Sequence, residues 1–188
     1  AIYFFIIAIK FNYNYTWIIF PWFLGFSFLS KQVPAAYFLI LISVILITYC
    51  FFKKTIKPIL ISVSSSIAFL LSFVLFSTII DLDLNLFIKQ YLLYPLSIGS
   101  ERAEGLTSIT LESFINKYKY ILIPFIGIIF LNYKILRQKI EKKKIDNISI
   151  LSIVLILPVC LILHQVLTKN QIYIYFLVPL LFLFFHIF

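Results

Sequence analysis

The apolar residues of this chain run in long unbroken blocks, and its charges fall between the blocks. A water-soluble domain needs polar surface distributed along every element to cover its core. Blocks without such interruption require lipid as the solvent. Inside hydrocarbon each backbone amide must find its partner within the structure, so only helices and closed barrels can span. Barrel strands would alternate polar and apolar residues, and these blocks do not. The fold class is therefore all-α, a polytopic transmembrane helical bundle. Composition agrees: of 188 residues 63% are hydrophobic and 12% charged, too few charges for a soluble surface.

A spanning helix needs about 20 predominantly apolar residues. On that measure the sequence reads as one transmembrane domain with helices over about 1–9, 16–29, 33–52, 58–80, 120–133, 148–167 and 172–188. The first is short. The chain opens at Ala1 inside an apolar run and closes in another at Phe188, which reads as a stretch of a longer membrane protein cut at both ends. Residues 81–119 form the one sizeable connection.

The formal net charge is +9. In a soluble chain that would point to nucleic acid; here the basic residues mark the cytoplasmic loops instead, and no nucleic-acid partner is expected. Lys134, Arg137, Lys139, Lys142, Lys143 and Lys144 crowd one loop, and Lys53, Lys54 and Lys57 crowd another. Two helices separate these loops, so both belong on one side, with Lys10. The turn at 30–32, the 81–119 loop and the turn at 168–171 then face outward. The sequons Asn14-Tyr-Thr16 and Asn147-Ile-Ser149 fall inside and are dismissed. Cys50 and Cys160 lie within apolar blocks and read as buried free thiols.

The first half of the outer loop reads as a helix lying in the interface. Leu84, Phe87, Ile88, Tyr91 and Leu92 recur at helical spacing, with Asn85 and Lys89 on another face. Pro95 is expected to end or kink it. The stretch from Ser97 to Gly105 is polar and carries two glycines.

The sequence has no phosphate-cradling glycine motif and no nucleophile elbow. Asp81 and Asp83 could hold a divalent cation, the one cofactor candidate; a solvated helix end is the preferred reading. Glu101, Arg102 and Glu104 either bind a ligand or keep the loop wet. More telling are polar residues at the outer ends of the spans. Lys31 and Gln32 occupy a turn too tight to leave the interface. His164, Gln165, Lys169, Asn170 and Gln171 gather at the next outward hairpin, with Tyr173 and Tyr175 close by. Polar groups at that depth are costly unless they face a cavity or a partner. Cations and amides there suit a phosphate-bearing ligand at the lipid boundary; snorkelling lysines and a tyrosine belt are the equal alternative.

Gly25-Phe-Ser-Phe-Leu-Ser-Lys31-Gln-Val-Pro34 resembles the G-x-A-x-L-[ST]-K-G-P segment of the dolichyl-phosphate-mannose/aminoarabinose transferase superfamily, membrane glycosyltransferases of the GT-C fold. Lys169-Asn-Gln-Ile-Tyr173, followed by Pro179, resembles that family's later K-x-x-x-Y-x-L-P-x-x-P segment, with Phe176 in place of its first proline. The resemblance implies a glycosyltransferase that moves a sugar from a polyprenyl-phosphate donor to an acceptor on the outer side of the membrane. It implies Lys31, Arg102 and Lys169 as donor phosphate-binding residues, and Tyr173, His164 and Gln32 as donor-positioning ones. It places the catalytic Asp in a first outer loop, upstream of residue 1. The family often carries a histidine in the flexible loop; this loop has none, and Arg102 is its phosphate-binding candidate. The implied partners are the lipid-linked donor and membrane lipid, and the implied location is a bacterial inner membrane.

The alternative is a transporter or flippase for a lipid-linked or anionic substrate. Transporters build their sites near the midplane from ionisable groups or broken helices. Here the mid-span positions are nearly all apolar, with Pro21, Pro124 and Pro158 as breakers, which favours the enzyme. A non-catalytic assembly subunit is the third reading.

Overall fold

The computed structural model describes residues 1–97, 110–137, 142–168 and 176–187. Every regular element among them is helical. In chain order these are α1 (Ile2–Phe11), α2 (Asn14–Ser30), α3 (Gln32–Lys53), α4 (Lys57–Ile79), the short α5 (Leu84–Phe87) running into a π segment (Ile88–Leu93), then α6 (Leu111–Arg137), α7 (Lys142–Thr168) and α8 (Leu177–Ile187). Four stretches are long and apolar enough to cross a bilayer: Gln32–Lys53, Lys57–Ile79, Leu111–Phe130 and Lys144–Val166. The chain is an integral membrane protein built as a helical bundle.

The hydroxyls within the spans show how the backbone rule is met. Ser27 donates to the Phe23 carbonyl, Ser43 to Leu39, Thr48 to Val44 and Ser72 to Ala68, each four residues back and within 2.9 Å. A hydroxyl turned onto its own helix exposes no free donor to lipid.

Lipid is as apolar as leucine, so burial alone does not hold such helices together; close packing and interhelical hydrogen bonds do. The buried positions of α4 are Pro58, Ser62, Ser65, Phe69 and Ser77, mostly small residues at helical spacing that let α2 approach. Ser65 Oγ donates to the Ile18 carbonyl of α2 at 2.6 Å. Most of the rest of α4, including Leu60, Val63, Ile67, Leu71 and Leu75, is exposed. It is the lipid-facing edge of the bundle.

The centre is α7. On one side its Ile145, Ile153 and Cys160 join a cluster with Phe5, Trp17, Phe20, Ile42 and Tyr49 from α1, α2 and α3. On the other its Leu151 and Ile162 pack with Tyr118, Ile121 and Ile128 of α6 and Leu177 and Leu181 of α8. Cys50 and Cys160 are buried and unbridged.

Three departures from the sequence reading have physical causes. Helix α6 begins at Leu111, not near 120, because Glu112, Asn116, Lys117 and Lys119 do not prevent helical turns. Helix α7 begins at Lys142, not near 148, for the same reason at the basic end. Pro95 does not stop the interfacial helix, which continues through residues 94–97. A proline cannot donate to the carbonyl four residues back; the preceding turns widen to a π helix over Ile88–Leu93.

Candidate functional site

The residues linking α2 to α3 are extended rather than helical. Lys31 has φ −154° and ψ 107° and closes α2 by donating its N–H to the Ser27 carbonyl at 3.0 Å. Val33, with φ −110° and ψ 121°, breaks the first turn of α3. This tight elbow carries Lys31 to the rim of a groove of about 670 Å³. The walls of the groove come from α1, α2, α3 and α7 and include Phe23, Leu24, Phe38, Leu157 and Cys160; its polar end is Ser27, Ser30 and Lys31. A mostly apolar groove with a cation at one end has the polarity of a lipid with an anionic head.

Beside Lys31, the side-chain nitrogen of Gln32 is buried and meets no hydrogen-bond partner among the described residues. At the same end of the bundle Gln165 is 3% exposed, and its Oε1 is likewise without one. A buried amide left unmatched costs about 1–3 kcal/mol. Groups of that kind beside a groove are candidates to meet a ligand. His164, one residue earlier on α7, is half-buried.

The interfacial helix is fastened over this elbow. Tyr91 Oη donates to the carbonyls of Phe28 and Leu29 at 2.6 and 2.5 Å, in the last turn of α2. Its ring stacks on Phe87 at 4.9 Å and meets Phe28 edge-on, while Phe87 reaches Phe73 of α4. Burial pushes the Tyr91 phenol up from its ordinary value.

Of the residues expected to meet the donor, Lys31 lines the groove and Gln32 follows it in the same elbow, while His164 lies on α7. Arg102, Lys169 and Tyr173 lie outside the described residues. Asp83 serves as an N-cap: its Oδ1 accepts from the backbone of Asn85 and Leu86 at 2.9 and 3.1 Å. Among the described residues no three His, Cys, Asp or Glu side chains gather into a group that could hold a metal ion.

Three contributions escaped the sequence reading. Tyr91 was placed only on an apolar face; its hydroxyl, the one polar group on that face, was the available signal. Gly25 was only a motif letter, yet a Cβ there would lie 2.3 Å from Phe69 Cε1, so the residue is glycine because a ring occupies the space. Asp146, one of two acids flanking the Lys142–Lys144 run, pairs with Lys53 at 2.7 Å and ties the end of α3 to the start of α7.

These features define a class: an integral membrane protein with a mostly apolar groove at one end of its helical bundle. Compared with protein-family models, curated proteins and solved structures, the chain matches none.

Proposed function

We propose that this chain belongs to a membrane glycosyltransferase that moves a sugar from a polyprenyl-phosphate donor to an acceptor, at the outer face of a bacterial inner membrane. The observation that carries the reading is the apolar groove ending at Lys31, with the buried amide of Gln32 next to it. The lipid tail would lie along Leu24, Phe38 and Leu157 and the phosphate would meet the Lys31 ammonium. In transfer the acceptor oxygen bonds to the anomeric carbon as the bond from that carbon to the phosphate oxygen breaks. The acceptor proton passes to an acidic base supplied from outside these residues, and polyprenyl phosphate leaves with the electron pair. The cation at Lys31 stabilises that charge as it develops, which accelerates the step.

Among the described residues no Asp, Glu, Arg or His is fully buried and the one buried Lys, Lys144, lies at the start of α7, which favours this over a transporter. Of the buried serines of α4, Ser65 is committed to the Ile18 carbonyl and Ser77 to that of Val74. The test is transfer by the full-length protein in its native membrane. Lys31→Ala lowers turnover by about a hundredfold or more while thermal unfolding stays at the wild-type temperature. Undiminished turnover in that variant contradicts the reading.

A further inference from the structure

The opposite end of the bundle holds a second, smaller cavity of about 310 Å³, where the last residues of α1 and α3 meet the first residues of α2, α4 and α7. Lys10, Lys53 and Lys57 line it together with Asn12, Asn14 and Asp146. Lys53 is already committed: its Nζ lies 2.7 Å from Asp146 and 5.7 Å from the centre of the Tyr49 ring. With that pair neutralised, the ammonium groups of Lys10 and Lys57 leave the cavity two positive charges in excess. No carboxylate among the described residues pairs with either.

The remaining polar groups also favour an anion. Trp17 Nε1 donates to Asn12 Oδ1 at 3.4 Å, which leaves the Asn12 amide nitrogen as the donor still on offer. Helices α2 and α4 both begin at this cavity, and neither carries a side-chain cap or an acidic residue in its first turn. The positive ends of their dipoles thus meet no acid in the first turn, although Thr16 N–H is taken by the Tyr13 carbonyl and Pro58 carries no N–H. Cations, an amide donor and uncapped helix starts together make a phosphate receptor.

We propose that this cavity binds a phosphate-bearing anion, on the face of the bundle opposite the Lys31 groove and independently of it. The cavity lies where several helices end, the depth of a lipid headgroup, so the phosphate is available from an anionic phospholipid or from solution.

The experiment is native mass spectrometry of the purified full-length protein, released from vesicles of phosphatidylglycerol and phosphatidylcholine, with a parallel titration of inorganic phosphate in detergent. Lys10→Gln and Lys57→Gln are each expected to weaken retention of phosphatidylglycerol about fivefold. Lys54→Gln removes the same charge from the same end but outside the cavity, and leaves retention unchanged. Saturable binding of inorganic phosphate, lost in the same two variants and with no preference for phosphatidylglycerol, supports the site with solution phosphate as its source. Equal losses in Lys54→Gln and Lys57→Gln, or neither ligand distinguishing wild type from the Lys10→Gln/Lys57→Gln double variant, overturns it. Both lysines are exposed, and thermal unfolding of each variant verifies that it remains folded.

Discussion

Gly25 shows how one position can join packing to function. It lies six residues before Lys31, on the helix whose end presents that lysine to the groove. The Phe69 ring occupies the place of its missing side chain, and Trp22 and Phe26 meet the same ring edge-on at 5.5 and 5.3 Å. An added methyl must move the ring or part the two helices. Gly25→Ala is therefore expected to destabilise the bundle by about 1–3 kcal/mol, read as a lower unfolding temperature in detergent. Phe69→Leu in the same chain restores part of the loss, because the two changes share one space. Additive losses would show that the contact is not what selects glycine.

Among the elements, the interfacial helix most clearly joins local chemistry to the site. Leu84, Phe87, Tyr91 and Leu92 are half-buried, whereas Asn85 and Lys89 are exposed, as helical spacing predicts; Ile88 is exposed instead, where the turn widens. Spacing could reveal that a helix lies in the interface, but not the wider turn, since that follows from a proline seven residues further on. Nor could it reveal the partner of the Tyr91 hydroxyl, which lies 63 residues away in the sequence. Tyr91→Phe removes that bond and leaves the ring contacts. The expected cost is about 1 kcal/mol, seen as faster hydrogen exchange over residues 84–97 with α3 and α7 unaffected. Unchanged exchange would mean that the aromatic contacts alone hold the helix down.

At the scale of the whole molecule, apolar block length and charge placement were enough to read an all-helical membrane bundle, because the cost of unpaired backbone in lipid admits so few alternatives. The same rules misplace the starts of α6 and α7, since a helix need not stop where the membrane does. The groove was out of reach, because it exists only where four helices converge; the sequence could say that Lys31 sits in a tight turn, not that an apolar cleft opens below it. Among the described residues the bundle thus has two polar ends of different kinds, one with Lys31 above an apolar groove, the other a cluster of lysines around a polar cavity. The account stands on the cleft holding a lipid by both tail and phosphate. Photo-crosslinking with a polyprenyl phosphate that carries a diazirine in its tail tests this most directly. The expected adducts fall on α2, α3 and α7 around Leu24, Phe38 and Leu157, and decline when Lys31→Gln is introduced or the probe lacks its phosphate. Adducts spread over the lipid-facing side of α4, equally abundant with the phosphate-free probe, would contradict it.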